Sequence, residues 1–228
     1  MEKAETWLSN ALNYRFNDAR LLEQALTHRS AAGANNERLE FLGDAILDVV
    51  VSEAVFRARP DATEGDLSRL RASLVKDESL ATLASELGLG AHLILGGGER
   101  KSGGHRRESI LADAIEAIFG AVYLDAGFEA ARDIIERAFG KRLEEFPPVE
   151  ELRDPKTRLQ EWLQARGRGL PKYALVAETG EAHRRRFEVS CSIDGDVEPT
   201  HGEGTTRRAA EQTSAQRMLM RLERSDAS

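Results

Sequence analysis

The stretch from Asn36 to Leu47, NERLEFLGDAIL, opens a long predicted helix with acidic residues at regular intervals. At about 100° per residue, four acidic side chains of this helix fall within one narrow stripe: Glu37, Glu40, Asp44 and Asp48. Most of the remaining positions are apolar, so the stripe borders a wide apolar surface. An exposed acidic face is one interpretation. The narrow stripe favours another, because carboxylates held together beside a core repel each other unless a cation neutralises them.

A second predicted helix carries a matching acidic pair. The segment from Ser109 to Gly120 reads SILADAIEAIFG, and its two acidic residues lie three positions apart on one face, again among apolar residues. If the two helices pack together, their acidic residues form an all-oxygen cage of Glu40, Asp44, Asp113 and Glu116. Such hard ligands suit Mg²⁺, for which Mn²⁺ can substitute. The spacing alone is a weak signal, since many helices carry such pairs.

Length and composition limit the possible classes of protein. The 228 residues, 41% hydrophobic and 31% charged, suffice for one large domain or two unequal ones. No apolar run reaches the ~18 residues of a membrane span. The single cysteine, Cys191, excludes an internal disulfide framework and a cysteine-rich zinc site. It makes a reducing, cytoplasmic setting the default expectation.

The net charge of −7 is unevenly distributed along the chain. Residues 1–150 carry 18 Lys/Arg and 26 Asp/Glu, a net charge of −8, whereas residues 151–228 carry 14 and 13, a net charge of +1. An acidic first part can hold metal ions, and a phosphate backbone could approach it through those ions.

The segment from Glu145 to Asp154, EFPPVEELRD, is the predicted linker, because adjacent prolines cannot lie inside a helix. Before it, apolar residues at three- and four-residue spacing predict helices almost throughout, with breaks at Pro60 to Gly65 and Gly96 to Gly104. The predicted helical segments are Leu21–Leu26, Leu39–Phe56, Leu67–Leu74, Leu80–Leu87, Ile110–Leu124 and Ala130–Leu143.

After the linker the pattern changes to one helix, three short strands and a last helix. The predicted elements are a helix at Lys156–Arg166, strands at Tyr173–Glu178, Phe187–Ile193 and Val197–His201, and a helix at Thr205–Leu222. We therefore predict two domains: an all-α domain at residues 1–146, a linker at 147–153, and a small α+β domain of order α-β-β-β-α at 154–224.

The segment NERLEFLGDAIL resembles the signature of the ribonuclease III family. Three more stretches resemble this family in the same order: QALTHRS at Gln24 to Ser30, EGDLSRLRAS at Glu64 to Ser73, and ESILADAIEAIFGAVYLDAG at Glu108 to Gly127. The resemblance implies a metal-dependent endonuclease of double-stranded RNA. It also implies a homodimer that leaves 5′-phosphate and 3′-hydroxyl ends with short 3′ overhangs, and a role in processing ribosomal RNA precursors and some messenger RNA.

The resemblance also implies roles for individual residues. The family's metal ligands correspond to Glu40, Asp44, Asp113 and Glu116, with Asp44 and Glu116 the predicted catalytic pair. Glu37 and Glu64 match further acidic positions of the catalytic valley, nearer the substrate and the partner subunit. Asp48 matches no ligand and is interpreted as a surface or packing residue. Phe41 is either a core residue or, as the family implies, a plug that enters a socket on the second subunit.

The C-terminal part resembles a double-stranded RNA-binding domain. The matching stretches are KTRLQEWLQ at Lys156 to Gln164, the loop with His183 before three arginines, and GEGTTRRAAEQ at Gly202 to Gln212. Proteins read such RNA through 2′-hydroxyls in the minor grooves and the phosphates between them. The predicted contacts are Thr157, Gln160 and Gln164 in one minor groove, His183 in a second, and Arg207 and Arg208 on phosphates. Thr205 and Thr206 stand where the family often has Lys and Ser, which removes one positive charge.

Other motifs give no alternative chemistry. The glycine-rich stretch GGGERKSGG at Gly96 to Gly104 lacks the phosphate-loop pattern, and the five histidines have no metal-ligand spacing. Nearby Lys101, Arg106 and Arg107 either contact RNA phosphates or face solvent. Two rival functions stay open. A non-catalytic RNA-binding protein would be expected to lack one of the four ligands, and a helical interaction scaffold predicts neither metal-dependent stabilisation nor RNA affinity.

Overall fold

The computed structural model describes residues 1–148, 152–180, 185–195 and 198–226. It divides the chain into two compact units, Met1–Val149 and Glu150–Ser228. His183, a predicted RNA contact, lies outside the described residues, as do residues 149–151 of the predicted linker. Within the described part of the chain, no helix is long and apolar enough to cross a membrane.

The first unit is helical, as the sequence predicts. Its helices are α1 (Glu2–Leu12), α2 (Ala19–Leu26), α3 (Glu37–Ala58), α4 (Glu64–Val75), α5 (Asp77–Glu86), α6 (Gly97–Lys101) and α7 (Glu108–Phe139). Helix α7 kinks at Gly127, whose φ of 83° lies in the left-handed region, and this kink separates the two helices predicted there. Between described residues of this unit, the β-pairing is one isolated bridge that joins Thr27 and Ile94.

Two helices of this unit were not predicted. Helix α1 buries Ala4, Leu8 and Leu12, which follow one another at four-residue spacing. Helix α6 lies inside the glycine-rich stretch that the sequence analysis interprets as a break. Its five residues bury no side chain, so no apolar pattern marks it.

Helices α3 and α7 cross at the centre of the unit, and two glycines set their separation. A Cβ atom on Gly43 would lie 1.8 Å from the carbonyl oxygen of Glu116, and one on Gly120 would lie 2.2 Å from that of Leu39. The two backbones are therefore in direct contact. Because Asp44 follows Gly43 and Glu116 lies one turn before Gly120, this crossing brings the acidic pairs of the two helices together.

The second unit has the predicted α-β-β-β-α order. Its elements are α8 (Pro155–Gln164), β1 (Lys172–Thr179), β2 (Arg186–Ser192), β3 (Thr200–Gly204) and α9 (Arg207–Asp226). The strands form one antiparallel sheet in the order β1-β2-β3. Both helices pack on this sheet around a core of Leu159, Leu163, Cys191, Ile193, Ala215, Met218, Leu219 and Leu222.

The third strand and the last helix both begin later than predicted. Strand β3 covers Thr200–Gly204, whereas the prediction was Val197–His201, of which Val197 lies outside the described residues. The two glycines of this strand permit its close packing on α9. A Cβ on Gly202 would lie 2.3 Å from the Ser214 nitrogen, and one on Gly204 would lie 2.5 Å from the Ala210 nitrogen. Helix α9 starts after Thr206, whose Oγ1 accepts a hydrogen bond from the Ala209 N–H at 3.1 Å.

Candidate metal centre and nucleic-acid interface

Four carboxylates lie around the crossing of α3 and α7. Glu40 and Asp44 are one turn apart on α3, and Asp113 and Glu116 are nearly one turn apart on α7. Glu40, Asp113 and Glu116 are half-buried, and Asp44 is exposed. The structure therefore brings these predicted residues to one region where solvent can still enter.

The four groups influence one another electrostatically. Burial, with the negative charges of Asp44, Glu40 and Asp113 as further causes, raises the pKa of Glu116 to about 8. Burial also raises the pKa of Glu40, with the charge of Asp113 the next cause. The pKa values of Asp113 and Asp44 are raised too, again mainly by burial. The site therefore resists carrying its full negative charge.

These carboxylates repel one another without converging on one point. Among the described residues, no three His, Cys, Asp or Glu side chains are close enough to hold a metal ion as they stand. The donor set still fits a hard divalent cation, because it supplies only carboxylate oxygens and because a cation would offset the repulsion that raises their pKa values. Ligation of one ion by all four groups requires rotation of their side chains.

Three neighbours of this site were not predicted. Asp77, the first residue of α5, raises the pKa values of Asp113 and Glu116, whereas His28 and Arg29 lower that of Asp113. His28 is buried, and its Nδ1 lies 2.8 Å from Ser30 Oγ. Asp77 comes from a helix start distant in sequence, so no spacing pattern could have linked it to the site.

The two further acidic residues of the predicted valley occupy helix starts. Glu37 opens α3, is exposed, and lies 3.6 Å from Arg29 through Oε1 and Nη1. Its charge raises the pKa of Glu40. Glu64 opens α4 and accepts a hydrogen bond from Ser68 Oγ at 2.9 Å. It lines an open groove with a volume of about 340 Å³, together with Phe56, Leu67 and other residues of α3 and α4.

Asp48 has a more specific environment than the sequence indicates. Its Oδ1 lies 3.7 Å from Arg71 Nε, and Arg71 Nη1 donates to Ser52 Oγ at 3.2 Å. The charge of Asp48 raises the pKa of Asp44, and that of Arg71 lowers it. Asp48 is thus an electrostatic neighbour of the site.

Helix α3 also carries an exposed apolar stripe. Phe41 is 80% exposed, Val49 53% and Phe56 68%. Ala45 and Ser52 lie between them, so the stripe follows one face of the helix at three- and four-residue spacing. The interpretation of Phe41 as a core residue of its own domain is wrong in this structure.

In the second unit, the predicted minor-groove contacts lie on the exposed face of α8. Thr157, Gln160 and Gln164 are all exposed. Asp154 caps this helix, because its Oδ1 accepts from the Lys156 N–H at 2.9 Å and from the Thr157 N–H at 3.4 Å, and Pro155 occupies the first helical position.

The predicted phosphate contacts, Arg207 and Arg208, are exposed at the start of α9 and are held by carboxylates. Arg207 Nε lies 3.2 Å from Glu211 Oε1, and Arg208 Nη2 lies 3.8 Å from Asp154 Oδ2. Lys156 Nζ binds the other oxygen of Glu211 at 2.6 Å and lowers its pKa. Asp154 and Glu211 therefore tie the starts of α8 and α9 together, a link that the sequence analysis missed.

The cations near the glycine-rich stretch are exposed. Arg107 forms an ion pair with Glu99 at 2.8 Å, and Arg106 Nε donates to His105 Nε2 at 3.1 Å. Lys101, the last residue of α6, faces solvent.

Comparison with known proteins places both units in known families. Residues 18–143 match the family described as Ribonuclease-III-like, and residues 155–222 match the double-stranded RNA binding motif. Ribonuclease 3 of Dechloromonas aromatica (strain RCB) is 54% identical, over 94% of this chain and 97% of the relative. Ribonuclease 3 of Pseudomonas aeruginosa (strain LESB58) is 55% identical, over 94% of each chain.

Solved structures agree with this match. The nuclease domain of ribonuclease III from Campylobacter jejuni superposes with a TM-score of 0.59 at 48% identity, over 61% of this chain and 98% of that one. A helical nuclease domain followed by a double-stranded RNA-binding domain defines an endonuclease of double-stranded RNA. The chain belongs to the ribonuclease III family, whose members are metal-dependent nucleases.

Proposed function

We propose that this enzyme hydrolyses phosphodiester bonds of double-stranded RNA with Mg²⁺ held by Glu40, Asp44, Asp113 and Glu116, and that Mn²⁺ can substitute. The observation that carries the proposal is the meeting of two acidic pairs at the glycine crossing of α3 and α7. Their raised pKa values indicate a site that a divalent cation stabilises.

Divalent ions in such a site activate a water, orient the scissile phosphate and stabilise the leaving 3′-oxygen. The chain's own residues prepare the site for this chemistry. Asp44 and Glu116, one from each helix, are the proposed catalytic pair. The close backbone contact at Gly43 and Gly120 holds the two helices that carry them together. Arg29 places a positive charge on the rim, where it can attract the RNA backbone.

Glu37 and Glu64 extend the acidic valley beyond the four ligands. Both are exposed and both open a helix, so their carboxylates can reach RNA hydroxyls or waters. The family implies products with 5′-phosphate and 3′-hydroxyl ends and short 3′ overhangs. We propose the same products here.

We propose that the enzyme is a homodimer that pairs through α3. The apolar stripe supports this, because its spacing is symmetric about a point beside Val49. An antiparallel partner helix would set Phe41 opposite Phe56 and Ala45 opposite Ser52. The groove beside Phe56 would then receive the partner subunit's Phe41. The relative from C. jejuni supports it as well, since its nuclease domain has a region involved in dimer formation.

In the RNA-binding domain, we propose that Thr157, Gln160 and Gln164 enter one minor groove, that His183 enters a second, and that Arg207 and Arg208 bind phosphates. Arg207 and Arg208 exchange internal carboxylates for phosphates when RNA binds, so we expect a modest and strongly salt-dependent affinity. The proposed domains are residues 1–146 and 154–224, with a linker at 147–153.

We place the enzyme in the cytoplasm, where it would process ribosomal RNA precursors and some messenger RNA. The lone, buried Cys191 fits a reducing compartment.

A cleavage assay on a long RNA duplex tests this function. With Mg²⁺ we expect short duplex fragments bearing 5′-phosphates, and with EDTA we expect binding without cleavage. Binding without cleavage under both conditions would favour the non-catalytic RNA-binding protein. Neither binding nor cleavage would favour the interaction scaffold.

A further inference from the structure

The RNA-binding domain has a second basic surface, away from the proposed RNA contacts. An open groove of about 900 Å³ lies between β3 and the C-terminal half of α9. Its lining includes three arginines at helical spacing: Arg217, Arg221 and Arg224. By helical geometry Glu211 and Glu223 lie about 110–130° around α9 on either side of these arginines, and their ion pairs with α8 mark the opposite half of the helix.

Two of these arginines are held by neutral backbone groups. Arg217 Nη1 donates to the carbonyl oxygen of His201 at 2.6 Å, and Arg221 Nη1 donates to that of Glu198 at 2.6 Å. Neither forms an ion pair with a carboxylate in the part of the chain that the structure describes. Hydrogen bonds to carbonyl groups therefore hold both positive charges in place, with no carboxylate partner among the residues that the structure describes.

Most other cations of this domain differ in this respect. Arg207, Arg208 and Lys156 each have a carboxylate partner, and so do Lys172 and Arg185, at 2.7 and 3.0 Å. The groove thus presents two cations, Arg217 and Arg221, that have no carboxylate partner among the described residues, although residues 151–228 carry a net charge of only +1.

The geometry of the groove fits an extended anion. A guanidinium group has five N–H donors, so one hydrogen bond to a carbonyl leaves most of them for a ligand. The helical rise separates Arg217 from Arg221 by about 6 Å and from Arg224 by about 10 Å along the axis. A row of guanidinium groups in an open groove suits a phosphate backbone better than a compact small molecule.

We propose that this groove binds the sugar–phosphate backbone of RNA at a second position on the domain. The inference rests on the proposed RNA-binding function. Because the groove faces away from α8, the RNA it takes is a second duplex, or a distant arm of the same folded RNA. The domain would then bridge two helical segments of a structured substrate.

Binding of a duplex of about 16 base pairs, the span of one such domain, tests the proposal with the full chain in EDTA, where no cleavage occurs. Sedimentation with increasing RNA resolves a first and a second binding event per protomer. Arg217→Gln with Arg221→Gln keeps a donor at each position and removes both charges. We expect this variant to lower the affinity of the second binding event about 10-fold or more and to reduce its slope of log affinity against log salt by about two units. The affinity of the first event should stay within about 2-fold of wild type.

Two control variants define the effect. Arg166→Gln with Lys172→Gln also removes two charges of this domain, but each is already paired with a carboxylate, so both events should stay unchanged. Arg217→Lys with Arg221→Lys keeps the charges and should retain most of the second event. Equal loss in the lysine and glutamine variants would assign the effect to the carbonyl hydrogen bonds and overturn the proposal.

The remaining outcomes separate this inference from the proposed function. Absence of any binding by the unmodified chain would contradict the RNA-binding function itself. A normal first event with a second event unaffected by Arg217→Gln and Arg221→Gln would overturn only the second site. If poly-glutamate displaces the second duplex as well as unlabelled duplex does at equal charge, the groove selects acidic peptide and the assignment to RNA is wrong.

Discussion

Glu116 combines a cost in folding stability with a proposed role as a metal ligand. It lies on the most buried helix of its domain, beside three other carboxylates, and its pKa is raised to about 8 by burial and then by those charges. A carboxylate in this position destabilises the fold when it ionises, and it becomes favourable when a cation binds.

The pH dependence of stability without metal tests this view. The pKa of Glu116 rises from 4.5 to about 8 on folding, so this group favours the folded state below pH 4.5 and loses that contribution as pH rises to about 8. Glu116→Gln cannot ionise. In EDTA at pH 8, after allowance for partial solvent exposure, we expect the variant to be more stable than wild type by about 1–2 kcal/mol. Near pH 4.5 the difference should almost vanish in urea unfolding. A difference independent of pH would contradict the burial of an ionisable Glu116.

The four proposed ligands could be predicted from the sequence because each pair repeats at helical spacing within one segment. Asp77, His28 and Arg29 could not be grouped with them, because tertiary packing alone brings them near. The same holds for Asp154 and Glu211, which join the starts of two helices more than 40 residues apart in the chain.

At the scale of elements, the crossing of α3 and α7 determines the site. The apolar pattern predicted both helices, but it could not show which residues face each other. The two glycines at the contact are neutral in such a pattern, although they permit the close approach. The two glycines of β3 also lie outside any apolar pattern. They weaken the alternation that predicts a strand, so the strand was predicted too early in the chain.

Substitution at the crossing should separate the helices. A Cβ on Gly120 would lie 2.2 Å from the carbonyl oxygen of Leu39, so Gly120→Ala forces a backbone shift. We expect a loss of about 2–4 kcal/mol in unfolding free energy and reduced cleavage. Gly97→Ala is the matched control, because a Cβ there meets nothing within 4 Å. Its stability should change by less than about 1 kcal/mol. Native stability of Gly120→Ala would show that the crossing is looser than described.

Phe41→Ala tests the α3 stripe as a dimer face. Because the ring is 80% exposed in the single chain, its removal should change the folding of the subunit little. We expect it to weaken dimerisation by about 2–4 kcal/mol, measured by sedimentation equilibrium. Val176→Ala, which alters a half-exposed apolar residue of the other domain, should leave the dimer intact. An unchanged dissociation constant of the dimer in Phe41→Ala would contradict the proposal that Phe41 enters a groove on the partner subunit.

At the scale of the whole molecule, the distribution of charge and the two compact units both divide the chain near residue 150. The acidic unit carries the proposed metal centre, and the nearly neutral unit carries the proposed RNA contacts. Their order could be predicted from periodicity and resemblance. The groove between β3 and α9 could not be predicted from the sequence. Its residues Arg217 and Arg221 differ from neighbouring arginines only in what their guanidinium groups contact.

A fragment ending at Pro147 tests the proposed division. It contains every proposed metal ligand and the α3 stripe. We expect it to fold, to dimerise and to cut duplex RNA weakly at low salt, because phosphate contacts from the second domain are lost. Circular dichroism and sedimentation check its fold and assembly. An unfolded or insoluble fragment would place the domain boundary elsewhere.

The rate of RNA cleavage in single-turnover assays tests the central claim most directly. Asp44→Asn and Glu116→Gln each keep the side-chain shape and remove one charged ligand, so with Mg²⁺ each should lower the rate by about 100-fold or more. RNA binding in EDTA should stay within about 2-fold of wild type, since the phosphate contacts lie in the other domain. Asp48→Asn, on the same stripe of α3 but outside the proposed ligands, should keep most of the activity. Cleavage by Asp44→Asn or Glu116→Gln at the wild-type rate would contradict the assignment of the metal centre.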